Sequence, residues 1–195
     1  MIYYVRHGET DWNRTGRLQG TLDVPLNALG RRQAAHAGRI LGHLIAGNGA
    51  DKDSLAFVAS PLGRARATME LVRSELNMSP ADYGLDERLR EIAYGEWEGR
   101  TLAESEAADP EIFAWRQLDK GTVAAPGGES YASVQLRMRD WYDSILVDTV
   151  AVAHGGTARA LMVALGFESP QSAADLIIEQ GAVYVFGRTG LSKYS

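Results

Sequence analysis

The chain has 195 residues, 45% of them hydrophobic and 23% charged, with a formal net charge of −5. That size and composition suit one soluble globular domain with a full core, and the negative balance argues against general nucleic-acid binding. There is no cysteine, which excludes disulfides, thiolate nucleophiles and cysteine-ligated metals.

No apolar run approaches the ~18 residues of a membrane span, so no membrane association is expected. The N-terminal apolar stretch is too short for a signal peptide and has no basic flank, so a cytoplasmic protein starting in its first strand is expected. Of the 20 basic residues, 17 are arginine and 3 lysine. Arginine forks suit phosphate and carboxylate, although any single arginine is by default a solvated surface residue.

Ile2–Val5 reads as a strand that breaks off at Arg6-His7-Gly8-Glu9. Asn27 to about Ala46 reads as a helix with Ala34, Leu41, Leu44 and Ile45 on one stripe, stopped by Gly47-Asn48-Gly49. Leu55–Ala59 is a second strand. Ser60 suits the N-cap and Pro61 the first position of a helix to about Leu76. A less regular stretch through Glu91–Gly99 follows, then a short helix at about Pro110–Leu118. Pro126-Gly127-Gly128 is a turn, and Ser130 can cap a helix to about Leu146. Thr149–Ala153 is a strand, Thr157–Leu165 a helix and Val183–Phe186 a last strand. This alternation predicts an α/β protein, a three-layer α/β/α arrangement with a mostly parallel central sheet.

Ligands of open α/β sheets sit outside the carboxyl ends of the strands. After the first strand come Arg6, His7 and Gly8. After the second come Ser60, Pro61 and then Arg64. After Thr149–Ala153 come His154, Gly155 and Gly156, leading into a helix. Three turns thus deliver cations or imidazoles to one edge, and helix N-termini add N–H donors. Glycine beside each histidine is read as room for a ligand against the backbone. The sum is an anion pocket, with phosphate as the leading ligand and carboxylate second.

An imidazole among cations stays neutral and is a competent nucleophile toward phosphorus, while the arginines stabilise the equatorial oxygens. The leaving alcohol needs a proton, and Glu91, in a loop rich in aromatics and glycine, is the candidate donor.

These residues carry a resemblance. Arg6-His7-Gly8-Glu9-Thr10 with Trp12-Asn13, then Asp23-Val24-Pro25-Leu26 and Gly30 begin it. Ser60-Pro61-Leu62 with Arg64-Ala65 and Thr68, Leu89-Arg90-Glu91 with Tyr94-Gly95, Trp97-Glu98-Gly99 and Val152-Ala153-His154-Gly155-Gly156 complete it. In this order, over most of the chain, the set resembles the histidine phosphatase superfamily in its phosphoglycerate-mutase-like branch. The resemblance implies a single domain over 1–195 with a short helical lid at 101–129. It implies His7 as the phosphorylated nucleophile, with Arg6, Arg64 and His154 as the phosphate clamp and Glu91 as the proton donor. It also implies Asn13, Gln19, Gly20 and the Gly155 amide as ligand contacts, with Tyr94 on the substrate side; Trp115, an aromatic on the lid, is read as a pocket member by its residue type. Mutases carry threonine at the position of Gln19. No metal and no cofactor is implied, and a homodimer is left open.

Mutases keep a basic residue just after the acid glutamate and a longer insert with tandem arginines. Here those positions read Ile92 and Trp115-Arg116-Gln117, and Pro126-Gly127-Gly128-Glu129-Ser130 resembles the phosphatase members. The expectation is therefore hydrolysis of a small phosphorylated metabolite, with a 2,3-bisphosphoglycerate-dependent mutase second and a silent phospho-ligand binding module third. His36 and His43 are expected on the surface, as are Arg66, Glu96 and Glu98. His7, Glu9 and Asp11 alternate like metal ligands, but Arg6 beside them would repel a cation. Arg159, one turn past His154, either orients the site or pairs on the surface.

Overall fold

Alternation along the first strand decides the layering. In β1 (Ile2–Arg6), Ile2 and Tyr4 enter one hydrophobic cluster, and Tyr3 and Val5 enter another on the opposite face. Both faces are therefore covered, as expected of a strand in a parallel sheet. The computed structural model describes residues 1–187 and 190–195.

The chain continues through a short helix α1 (Asp11–Arg14), α2 (Ala28–Gly47), β2 (Ala56–Ala59), α3 (Gly63–Glu75) and a two-residue strand β3 (Gly84–Leu85). Then come α4 (Leu102–Ala108), α5 (Pro110–Leu118), α6 (Tyr131–Asp143), β4 (Thr149–Ala153), α7 (Gly155–Ala164), α8 (Pro170–Ala174), β5 (Val183–Phe186) and β6 (Leu191–Tyr194). The six-stranded sheet has the order β3-β2-β4-β1-β5-β6. The first four strands in that order are parallel, and β5 is antiparallel to both of its neighbours, β1 and β6. Helices α2 and α3 cover one face, α6 and α7 the other. The expected three-layer architecture is present.

The stripe of α2 is narrower than its sequence suggests. Ala34, Ala37, Gly38, Leu41 and Ile45 are buried, while Leu44 only flanks the core. Gly38 sits against α3, where an added Cβ would come 2.8 Å from the Glu75 Cβ. That close approach sets the spacing of the two helices.

Three boundaries differ from expectation. Helix α3 starts at Gly63 with Leu62 at its N-cap, so Ser60 is not the N-cap residue and Pro61 lies outside the helix. Helix α6, capped by Ser130 as expected, ends at Asp143. Helix α7 starts at Gly155, directly behind His154. The short elements α1, β3, α4, α8 and β6 have too few apolar positions to show a period in sequence. No described helix is long and apolar enough to cross a membrane.

Candidate active site

His7 extends β1 by one rung: its amide donates to the Ala153 carbonyl at 2.9 Å. The ring is 2% exposed. Nδ1 lies 2.8 Å from the Gly8 carbonyl, which can only accept, so Nδ1 carries the proton. Nε2 then presents a lone pair, and Arg64 Nε donates to it at 3.3 Å. Burial first, then the charges of Arg64 and Arg6, hold His7 well below the ordinary imidazole range. The ring is neutral at pH 7 with its free nitrogen facing a guanidinium.

Arg64 enters from the first turn of α3 and is 1% exposed. Its Nη1 donates to the Leu22 carbonyl at 2.7 Å and its Nη2 to the Gly20 carbonyl at 2.8 Å. Arg6 is held by the Ile178 carbonyl at 2.6 Å through Nη1. His154 sits at the mouth of α7, its ring centroid 5.1 Å from that of His7. The Tyr4 hydroxyl donates to the His154 carbonyl at 2.8 Å and accepts from the His154 amide at 3.2 Å, fixing the backbone beneath the ring. Burial, then Arg64, His7 and Arg6, push His154 well below its ordinary range. Among the described residues, the buried side-chain nitrogens without a protein partner are Arg6 Nε and His154 Nδ1. Both lie at this site, beside the N-terminus of α7.

Glu91 closes the other side. Its oxygens accept from the Ile92 amide at 2.9 Å and the Gly156 amide at 3.2 Å. Gly156 is required by this contact: a Cβ there would fall on the Glu91 carboxylate and the Ile92 side chain. Arg137 braces the loop from below, donating to the Arg88 carbonyl at 2.5 Å and pairing with Glu129 at 3.1 Å, while Glu129 accepts from the Ala93 amide at 2.9 Å.

The remaining predicted residues divide. Asn13 opens its carboxamide beside Thr10, and the buried Gln19 accepts the Thr10 hydroxyl at 2.9 Å. Gly20 serves through its carbonyl as a clamp on Arg64. Gly155 lies against Arg6, 3.4 Å from Nε if a Cβ is added. Tyr94 lines a cavity of about 250 Å³ together with Trp97, Phe113, Arg116, Tyr131 and Arg159.

Trp115 does not line it. On α5 the inward face is Phe113 and Arg116, three residues apart, so Trp115 turns outward and is 56% exposed. Arg116 takes the inner place. It is 7% exposed, donates to the Val123 carbonyl and lies 5.8 and 5.9 Å from the ring centres of Tyr94 and Tyr131. Arg159 lies on the other side, donating to the Tyr131 hydroxyl at 3.2 Å and the Leu176 carbonyl at 3.0 Å. Among the described residues neither arginine has a carboxylate partner, so the cavity is more basic than the lid sequence suggests. Arg159 thus faces the cavity and makes no surface pair.

Three other readings change. Gly8 is needed because the Gly30 backbone lies against it, where any Cβ would collide, and this packing is the constraint on the position. Ser60 places its hydroxyl 2.7 Å from His154 Nε2. Glu98 is half-buried, not a surface acid, and accepts from the amides of Thr21 at 2.9 Å and Tyr94 at 3.1 Å, joining the two loops around the site. Glu9 holds Asn27 at 2.8 Å and makes no contact with Arg6 among the described residues. His36 and His43 are exposed on α2, and no described group of three or more His, Asp or Glu is placed to hold a metal.

The site can bind a phosphoryl group on two arginines, an imidazole and helix amides, with a neutral histidine nitrogen and a carboxylate on opposite flanks. Comparison with known proteins agrees. The family model described as "Histidine phosphatase superfamily (branch 1)" matches residues 2–192. The chain is 36% identical over 178 residues to the glucosyl-3-phosphoglycerate phosphatase of Mycobacterium tuberculosis, covering 84% of this chain and 74% of that one. It is 31% identical over 188 residues to 2,3-bisphosphoglycerate-dependent phosphoglycerate mutase 2 of Gloeobacter violaceus, covering 92% and 81%. Among solved structures, mycobacterial glucosyl-3-phosphoglycerate phosphatase in complex with VO3 superposes with a TM-score of 0.79 at 30% identity, covering 99% of this chain and 96% of that one. This chain belongs to the histidine phosphatase superfamily, branch 1.

Proposed function

We propose that this chain is a phosphomonoesterase of small phosphorylated metabolites, acting through phosphorylated His7. One observation carries the reading: the His7 Nε2 lone pair faces Arg64 at 3.3 Å, in a site whose unpartnered buried nitrogens, Arg6 Nε and His154 Nδ1, gather around it. His7 Nε2 attacks phosphorus, and the ester P–O bond breaks with its electron pair going to the alcohol oxygen. Glu91 gives that oxygen a proton. Water then attacks the phosphohistidine, Glu91 takes the water's proton, and the P–N pair returns to Nε2. Arg6, Arg64, His154 and the Gly155 amide hold the equatorial oxygens throughout.

The alcohol end is read by the cavity beside Glu91. Two guanidiniums without a carboxylate partner favour an anionic tail, because buried charges are normally paired. A phosphoglycerate-type alcohol, plain or carrying a sugar, fits this and agrees with the names of the relatives. The same cations support a mutase as the second reading. Against it stand Ile92, buried and uncharged, and Gln117, which lines the same cavity but carries no charge.

The test is a product assay with 3-phosphoglycerate and an aryl phosphate, with and without 2,3-bisphosphoglycerate. Free phosphate without isomerised ester is expected. Isomerisation dependent on the bisphosphate would replace the hydrolase reading with the mutase. Full activity in His7→Ala would overturn the mechanism.

A further inference from the structure

The segment between α8 and β5, residues 175–181, carries no motif, yet it reaches the site region three times. The Ile178 carbonyl accepts from Arg6 Nη1 at 2.6 Å, and the Leu176 carbonyl accepts from Arg159 Nη1 at 3.0 Å. Gln180 Nε2 donates to Asn13 Oδ1 at 3.0 Å. The segment is itself pinned, since the Glu179 amide donates to the Tyr184 hydroxyl at 2.8 Å.

A carboxamide has one accepting end and one donating end, and only the donating end serves an anion. Asn13 Oδ1 is engaged twice, by the Thr10 amide at 3.1 Å and by Gln180. Gln19 is set in the same sense. The Thr10 hydroxyl accepts from the Asn13 amide at 3.2 Å and gives its single proton to Gln19 Oε1 at 2.9 Å, the shorter of its two options. The oxygen of each carboxamide is thus held by protein. Each NH2 group makes no hydrogen bond among the described residues.

We infer that Gln180 is a positioning residue. It holds the Asn13 oxygen back, so that the Asn13 NH2 group is the end presented to a phosphoryl oxygen. The inference rests on the phosphate-site reading above, and deepens it by assigning how one donor acquires its polarity. A glutamate at 180 inverts the arrangement. It is an acceptor where a donor is required, so it draws the Asn13 NH2 toward itself and turns the Asn13 oxygen on the anion.

The experiment uses the full chain as wild type, Gln180→Ala and Gln180→Glu, each also in an Asn13→Ala background. Affinity for inorganic phosphate is read by calorimetry, and kcat and KM with an aryl phosphate. Thermal midpoints identify any variant that fails to fold. Gln180→Ala is expected to weaken phosphate by about threefold and Gln180→Glu by about tenfold or more, mostly in KM, as for one lost or inverted hydrogen bond. In the Asn13→Ala background Gln180→Glu should change affinity less than about twofold, because the two residues act through one contact. A Gln180→Glu loss that persists undiminished without the Asn13 amide would overturn the inference, as would wild-type affinity in Gln180→Glu. Absence of phosphate binding by the wild type would overturn this inference and the functional reading together. Binding that Gln180→Glu leaves intact would overturn this one alone.

Discussion

Ser60 and His154 meet side chain to side chain at 2.7 Å, at the ends of adjacent parallel strands and 94 residues apart in sequence. The hydroxyl fixes the plane of a ring that is fully buried. Ser60→Ala leaves His154 Nε2 unpartnered in the interior, at a cost of about 1–3 kcal/mol in stability. The freed ring should also lower kcat by about tenfold or more, since small misplacements of a phosphate-binding group are expensive. Chemical denaturation and steady-state kinetics on the same preparation check both halves. An unchanged kcat would show that the hydrogen bond only packs the strand ends.

Glu91→Gln keeps both amide contacts sterically possible but removes the proton. Turnover of an alkyl phosphate should fall by about 10²–10⁴-fold, the usual scale of general acid catalysis. An aryl phosphate, whose leaving group needs little help, should lose far less in its first step. Burst kinetics separate phosphorylation of His7 from its hydrolysis, where the base role of Glu91 is still missed. Equal losses in the first step for both esters would remove Glu91 from the donor role.

Both site histidines are held well below 6.5 by burial and by neighbouring arginines. The unfolded chain therefore binds more protons than the folded one once the pH drops under about 6.5. The stability contributed by keeping these rings neutral is complete above that pH, and is lost as the pH falls toward their folded values. Thermal midpoints should decline through this window, and His7→Asn should flatten the decline. Inorganic phosphate, by supplying a counter-charge, should reduce it. For catalysis the acid limb of kcat/KM, corrected for ionisation of the ester, should lie below the ordinary imidazole range, because His7 remains an active nucleophile there.

Arg116 and Trp115 are neighbours on α5 with opposite fates. Arg116→Ala should raise KM for a carboxylate-bearing phosphoester by about tenfold, the loss of one charge-assisted contact, and leave an aryl phosphate with an uncharged leaving group nearly unaffected. Trp115→Ala should change neither by more than about twofold, as expected of an exposed side chain away from the cavity. The ratio of KM values for the two substrates reads the difference directly.

The strand ends were legible because strand, cation or imidazole, and glycine follow one another within a few residues of sequence. His7, Arg64 and His154 were readable for that reason, and Glu91 as the acid of a loop rich in aromatics and glycine. What the sequence concealed are contacts between distant segments. Ser60 looked like a helix cap because its local pattern fits one, but its hydroxyl is claimed by His154 across the sheet. Trp115 looked like a pocket residue by chemical type, whereas the register of a nine-residue helix decides which side chain turns inward. The bond from Thr21 to Glu98 and that from Gln180 to Asn13 gave no local cue, since they span 77 and 167 residues.

The bond between Arg6 and the Ile178 carbonyl spans 172 residues. The central strand β1 likewise waits for β4 and β5, both from the last third of the chain. Pairings this remote are slow to form, because a long loop must close before any contact rewards it. The strand that leads into His7 therefore stays without its neighbours until residues 149–186 have joined it, and Arg6 lacks its anchor until Ile178 is in place. Recovery of activity during refolding is accordingly a report on the closing of the whole sheet, and should trail the appearance of helix.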